Sequence, residues 1–287
     1  FIPYDIDVQM FKGEKYHHNN IDVKNKLKED GFDFSIIDKE FEYPTYISEL
    51  TYKDIIDTSN LWDLDKELGG SFVNIVSLTD YNSLLRLQGK KEVSLSDNEF
   101  LINANYKGTR KQIREYLSKT NELTVSDVKL RSSSKSPLEN VYFVTTVENN
   151  DRGTLIVPDK VAKKLTINSL HYVALYKKGI DKRNVESFLE NWIENYYFTD
   201  QEGNQADFVY QTKVRSAELY LGVMGVIVLV LIFVGVIFTV ITLSILSLQA
   251  STNALESVND YNILYLLGNQ RMQNKKIIFL VLNLPHR

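Results

Sequence analysis

One uncharged segment constrains this chain more than any other feature. Thirty consecutive residues, 219–248, contain no Asp, Glu, Lys, Arg or His. About 20 apolar residues suffice for a helix to cross the hydrocarbon core of a bilayer, and a helix that is apolar all round must be buried all round. The segment therefore predicts a transmembrane helix. Two buried core helices would need a turn signal within the segment, and its glycines have no Pro, Asn or Asp beside them.

A second apolar stretch, 277–284, is too short to span a membrane. Arg271, Lys275 and Lys276 precede it, and basic residues beside a membrane segment mark its cytoplasmic side. We interpret the stretch as the start of a further transmembrane helix, with a short interfacial anchor as the alternative, and so expect a piece of a multi-pass protein. The expected segments are an extracytoplasmic domain (1–215), a transmembrane helix (216–249), a cytoplasmic segment (250–276) and the start of another transmembrane helix (277–287).

The charge of the first segment limits its partners. Four of the 33 basic and two of the 37 acidic residues follow Leu219, which leaves 29 basic and 35 acidic residues before it and a net charge of −6. Nucleic-acid binding, which needs a basic face, is not expected. The negative charge aids solubility and mildly favours cationic partners. The chain has no cysteine, so it has neither disulfides nor thiol chemistry.

Short β-like runs alternate with helical runs before the uncharged segment, which predicts an α+β domain with helices packed on a mixed sheet. The clearest helix follows Asp181, because apolar residues from Val185 to Tyr196 recur at helical spacing on a single stripe. A helix capped near Thr79 and a capping box of Thr109 and Gln112 are also predicted. Further helices are expected over 21–30 and 158–165, and strands over 2–10, 34–37, 52–56, 71–77, 99–104, 123–130, 141–147, 154–157 and 171–176.

The sequence offers no catalytic constellation. His17 and His18 are adjacent, so they face different ways and chelate a metal poorly; a solvated loop is the better interpretation. No H-E-x-x-H, P-loop or G-x-S-x-G motif occurs. We therefore nominate no catalytic, cofactor-binding or metal-binding residue, expect no cofactor, and predict that the chain is not an enzyme.

The uncharged segment lacks the ionisable residue that an ion or proton pathway normally needs. Small residues on it offer surfaces where a neighbouring helix could approach closely. The hydroxyls of Thr239, Thr242, Ser244 and Ser247 either add to such a surface or bond the carbonyls of their own helix. The nominated packing positions are Gly222, Gly225 and Gly235.

A short apolar run follows the polar residues 249–262 and ends before a glycine. A short apolar helix on the basic side of a membrane is suited to dock into a groove of a cytoplasmic partner. The nominated docking residues are Tyr261, Ile263, Leu264, Leu266, Leu267 and Gly268.

Three features together resemble a known family. A long transmembrane helix adjoins a large extracytoplasmic domain. Residues 261–268 (YNILYLLG) look like a short cytoplasmic coupling helix that ends in Leu-Gly, and residues 77–89 (SLTDYNSLLRLQG) with 95–102 (LSDNEFLI) look like part of an extracellular domain. The pattern resembles the FtsX-like permease family, and within it the permease subunits of bacitracin-export-type ABC transporters.

This resemblance implies a non-enzymatic permease subunit in a bacterial cell membrane. It would couple ATP hydrolysis by a separate ATP-binding cassette ATPase to movement of the extracellular domain, in antimicrobial peptide resistance or sensing. Membrane lipid, a sensor histidine kinase and a peptide antibiotic are the further partners that it implies. A divisome-type signalling subunit that regulates a cell-wall hydrolase and a membrane-anchored receptor are the alternatives.

Overall fold

A computed structural model describes residues 3–12, 22–56, 70–141, 151–195, 197–200, 203–206 and 208–267. The chain divides into two compact units, Phe1–Leu219 and Tyr220–Arg287, and each is described by itself. The predicted strand over 141–147, apart from Val141, and the pair His17 and His18 lie outside the described residues, as do Gly268 and the apolar stretch 277–284.

Eleven strands occur in the described part of the first unit. They are β1 Ile6–Phe11, β2 Ile37–Ile47, β3 Asn74–Ser77, β4 Glu99–Asn103, β5 Glu122–Val125, β6 Val128–Ser132, β7 Thr154–Val157, β8 Thr166–Tyr176, β9 Tyr197–Asp200, β10 Gly203–Ala206 and β11 Phe208–Thr212. Nine of them form one sheet in the order β11-β1-β8-β2-β3-β7-β4-β6-β5, and β9 pairs with β10. The pairs β3–β7 and β4–β6 are parallel and the other pairs are antiparallel. The sheet is therefore mixed, as predicted.

The described helices are α1 Val23–Glu29, α2 Leu78–Leu87, α3 Lys107–Lys119, α4 Asp159–Ala162, α5 Lys182–Glu194 and α6 Lys213–Leu266, with short 3-10 helices at Phe34–Ile36 and Tyr52–Asp54. Because successive side chains of a strand point to opposite faces, the sheet supports separate cores. Val76, Leu101 and Val173 share one core with Tyr81 and Leu84 of α2.

The neighbouring residues on these strands belong to two other cores. Ile75 and Phe100 pack with Ile113 of α3. Tyr172 packs with α5 through Leu189 and Trp192, and the Trp192 indole donates a hydrogen bond to Asp30 over 2.8 Å. The predicted α+β class, with helices packed on a mixed sheet, is confirmed.

The α5 helix is confirmed together with its cap, because the Asp181 carboxylate accepts a hydrogen bond from the Arg183 amide at 3.1 Å. Two other predicted caps are wrong. The α3 helix begins before Thr109, whose hydroxyl donates instead to the Arg152 carbonyl at 2.7 Å. The α2 helix is capped by Ser77, which accepts from the Asp80 amide at 3.1 Å, and not near Thr79.

Three strand predictions are also wrong. Residues 34–37 and 52–56 begin with 3-10 turns, since the side chains of Asp33 and Asp54 bond nearby backbone amides. Residues 123–130 form a hairpin of two strands, because Ser126 and Asp127 adopt positive φ angles of 43° and 65° and reverse the chain. The long strand β2, which the predicted strands reach only at Ile37, lies between β8 and β3 in the interior of the sheet.

The α6 helix corrects a further expectation. It runs without a break for 54 residues, a length of about 81 Å at the ordinary helical rise. The short apolar helix predicted from Tyr261 onward is not a separate helix. Residues 261–266 are the last turns of α6, and Leu267 follows them. No Pro or Gly occurs between Gly235 and Leu267, so nothing in the polar segment interrupts the backbone hydrogen bonds.

Candidate functional site

Among the described residues, one helix, α6, is long and apolar enough to cross a membrane. Its apolar side chains are exposed along the uncharged segment; Leu229 and Phe233, for example, are 70% and 66% exposed. A continuous exposed apolar surface of this size marks contact with lipid or with other proteins.

The nominated glycines Gly222, Gly225 and Gly235 leave open space on α6. In the described part of the chain, a Cβ added at any of them would have no neighbour within 4 Å beyond the adjoining backbone of α6 itself. The hydroxyls of Thr239 and Thr242 donate to the carbonyls four residues earlier at 2.8 Å, and Ser244 does the same at 2.8 Å. These hydroxyls are therefore satisfied within the helix, and the packing role of the glycines stays a prediction.

The nominated docking residues lie at the C-terminal end of α6. Ile263 and Leu267 are 57% and 78% exposed, and Leu264 and Leu266 are 36% and 83% exposed; Tyr261 is partly exposed. Ile263 and Leu267 are four residues apart, so they share one side of the helix. The helix therefore presents an apolar surface at this end, and its role in docking stays a prediction.

The start of α6 is held to the sheet by charged groups within the first unit. Lys213 lies 3.3 Å from Asp5 Oδ1, and Lys182 of α5 donates to the same oxygen at 2.8 Å. Burial raises the pKa of Asp5, but Lys182, the Tyr176 amide and Lys213 together lower it by more. The carboxyl thus stays charged, and it joins β1, α5 and α6.

A second contact reinforces the same junction. Thr212 caps α6, since its hydroxyl accepts a hydrogen bond from the Arg215 amide at 3.0 Å. The same hydroxyl donates to the buried carboxylate of Glu186 on α5, whose pKa is raised chiefly by burial. The Arg215 guanidinium lies 4.8 Å from the centre of the Tyr210 ring. The first turn of α6 is thereby fixed to both β11 and α5.

Sequence analysis missed a buried hydrogen-bond chain across β1, β8 and β2. Asp7 Oδ1 lies 3.1 Å from His171 Nδ1, and His171 Nε2 lies 3.2 Å from Ser169 Oγ. Ser169 Oγ lies 2.6 Å from Thr45 Oγ1 and accepts from Gln9 at 3.0 Å. These groups follow the acid–base–nucleophile order of a hydrolase triad.

Burial argues against a catalytic role for this chain of groups. Ser169, His171 and Asp7 are 0%, 1% and 3% exposed, and the serine hydroxyl is already engaged by Thr45 and Gln9 besides His171. A substrate therefore has no access to the hydroxyl. The network instead gives these polar groups hydrogen-bond partners inside the sheet, although Asp7 Oδ2 is left without one. No sequence signal identifies it, since Asp7 and His171 are 164 residues apart.

A second buried network lies on α2 and β4. The Asn103 amide donates to Asp151 at 2.5 Å, and Tyr81 donates to the Asn103 carbonyl oxygen at 2.9 Å. Asp151 also accepts from the Gly153 amide and the Thr154 hydroxyl, each at 3.0 Å. Burial raises the pKa of Asp151 to about 6 against these hydrogen bonds.

A groove of about 720 Å³ lies between the Tyr52–Asp54 turn and α3. Its charged lining residues are Lys53, Asp54, Lys107, Lys111, Glu115 and Lys119. Within the described residues, no group of three or more His, Cys, Asp or Glu side chains is placed to hold a metal ion.

No family model and no curated protein match the sequence. Two solved structures resemble the chain in shape. A proposed lipoprotein from Bacillus anthracis is 10% identical and has a TM-score of 0.35, over 64% of this chain and 91% of that one. The periplasmic region of MacB from Actinobacillus actinomycetemcomitans is 8% identical and has a TM-score of 0.30, over 78% of this chain and 94% of that one. At these scores neither resemblance carries an argument about function.

Proposed function

We propose that this chain is a permease-type subunit of an ABC transporter. Its α+β domain lies outside the cell, α6 crosses the membrane, and the exposed apolar residues at the end of α6 dock on a separate ATPase subunit. The subunit itself is not an enzyme. The exposed apolar surface along α6 carries the proposal.

The physical support is that α6 is much longer than a membrane is thick. Its length of about 81 Å exceeds the roughly 30 Å of a hydrocarbon core, so the helix extends well beyond a bilayer. An unbroken helix transmits a displacement better than a flexible linker does. Within the first unit, the first turn of α6 is fixed by Asp5 and Glu186, so the start of α6 is coupled to the sheet and to α5.

The resemblance of residues 77–89, 95–102 and 261–268 to bacitracin-export-type permeases supplies the finer part of the proposal. The coupled domain movement would then serve resistance to, or sensing of, antimicrobial peptides. A sensor histidine kinase would be a further partner.

Docking is tested by Leu264→Asp in the full chain. Burying an apolar side chain on the ATPase contributes about 1.5–3 kcal/mol. A carboxylate at the same position would oppose binding. An ABC ATPase identified by mass spectrometry should co-purify with the natural chain and be lost from the variant. Asn253→Asp, an exposed substitution earlier on α6, should retain it. Equal recovery of the ATPase with both variants would contradict the proposed docking surface.

A further inference from the structure

We infer that the groove between the Tyr52–Asp54 turn and α3 binds a phosphate-bearing anion. The inference does not depend on the proposed function, because it concerns contacts within the first unit alone. It also runs against the net charge of that unit, which favours cations. The local arrangement of charge decides what a groove attracts.

The lining of the groove has more positive than negative charge. Four lysines face two carboxylates, and one of these, Asp54, is engaged as the acceptor of hydrogen bonds from the Thr51 amide and hydroxyl at 2.7 and 2.8 Å. Glu115 lies at the limit of an ion pair, 4.0 Å from Lys111. The surplus is therefore not neutralised by the groove itself.

Three of the lysines are available to a ligand. Lys53, Lys107 and Lys119 form no ion pair with any residue in the described part of the chain. Lysine is a compact point charge on a flexible stem, and it is a common phosphate ligand. These side chains come from a turn and from the two ends of α3, which lie about 18 Å apart at the ordinary helical rise, so the positive charge extends along the groove.

The backbone of α3 adds to the attraction. The helix begins at Lys107 with no side-chain cap and no acidic residue in its first turn. The first amide groups of a helix lack intrahelical partners, and the helix dipole favours negative charge at this end. Lys107 and Gly108 of this first turn line the groove, so the positive end of the helix dipole and Lys107 lie at the same end of α3.

The size of the groove favours a group larger than a single small ion. Its volume of about 720 Å³ lies within the range of about 300–1,000 Å³ that holds small organic ligands. At neutral pH a phosphate monoester carries a charge of about −1.5 to −2 and a pyrophosphate carries more, so either group matches the surplus of two lysines over the carboxylates. Such a group occurs free in solution or on a lipid headgroup.

The test is calorimetric titration of the detergent-solubilised full chain at low salt. Two probes distinguish the sources: inorganic pyrophosphate, and a water-soluble short-chain phosphatidic acid. Binding of either supports the site, and tighter binding of the phosphatidic acid identifies a lipid headgroup as the source. Failure of both to bind would overturn the inference.

Matched variants show whether binding occurs in the groove. Lys107→Gln with Lys111→Gln should weaken binding at least about tenfold, because hydrogen bonds to charged groups contribute more than neutral ones. Lys39→Gln with Lys178→Gln removes the same charge at exposed positions outside the groove and should have little effect. Equal weakening by both pairs would mean that only the overall charge of the protein matters. It would contradict binding in this groove. If the first pair disturbs folding, Lys53→Gln with Lys119→Gln tests the same groove.

Discussion

The domain buries its large apolar residues, whereas α6 exposes them. In the domain, large side chains such as Tyr4, Tyr43 and Tyr81 are fully buried. On α6, Leu229 and Phe233 are mostly exposed, although the helix is far more apolar. The domain covers its apolar surface with its own strands and helices, whereas α6 needs lipid or other helices to do so.

The two regions also treat polar groups differently. The domain buries Asp151 and His171 and gives each several hydrogen-bond partners. On the uncharged part of α6, the polar side chains are hydroxyls, and those of Thr239 and Thr242 bond their own backbone. Stability of the domain therefore depends on particular side-chain pairs, while that of α6 depends on its surroundings.

The largest expected effect comes from placing two charges on α6, as Leu231→Arg with Val234→Arg. An arginine at the centre of a membrane helix costs about 2.5–3.5 kcal/mol on insertion scales. The variant should be released from membranes by alkaline carbonate, which leaves the natural chain in the pellet. Ser251→Arg with Leu255→Arg, beyond residues 219–248, should stay in the pellet. Retention of the first variant would show that α6 is not what holds this chain in the membrane.

The next effect tests the buried polar pairs of the domain. Asn103→Ala removes a partner of Asp151, Tyr81 and Asn140. Each buried polar group left without its partner costs about 1–3 kcal/mol, so the free energy of unfolding should fall by at least about 2 kcal/mol. Chemical denaturation of the full chain in detergent, followed by near-UV circular dichroism, measures it. Asn98→Ala, at an exposed position, should change the stability by less than about 0.5 kcal/mol.

A smaller effect is expected from the titration of Asp151. Its pKa of about 6 in the folded protein lies above the ordinary value of 3.8, so folding favours the protonated carboxyl. The resulting stabilisation is complete below the ordinary pKa and is lost as the pH rises through 6. Relative to Asp151→Asn, the natural chain should therefore gain stability as the pH falls from 7 to 4. A difference that does not change with pH would show that folding does not raise the pKa of Asp151.

Local signals account for what the sequence predicted. The membrane-length helix follows from one uncharged run, and α5 follows from one apolar stripe behind Asp181. Long-range contacts account for what it missed. Thr109 looked like a cap but bonds Arg152, which is 43 residues away. The central strand β2 carries charged residues such as Glu40, which is engaged by Lys24 and Tyr172 and so is compatible with the middle of a sheet.

The candidate sites divide in the same way. The apolar residues at the end of α6 are adjacent in sequence, so their grouping was predictable. The basic groove was not, because Lys53 comes from a turn more than fifty residues before Lys107 and Lys119. The sequence gives only the net charge of the first unit, which is negative and favours cationic partners. That average does not reveal a groove whose lining is locally positive.

The smallest effect is expected when the same substitution, Thr→Val, is made in the domain and on α6. Thr45→Val removes a buried hydroxyl that bonds Ser169 and should lower the stability of the domain by about 1–2 kcal/mol. Thr239→Val removes a hydroxyl that bonds only the Gly235 carbonyl among the described contacts, an interaction that contributes little to a helix. It should leave both the thermal midpoint of the domain and the recovery of the ATPase unchanged. Loss of the ATPase in Thr239→Val alone would mean that this hydroxyl faces a neighbouring helix, and it would support close packing of that helix beside Gly235.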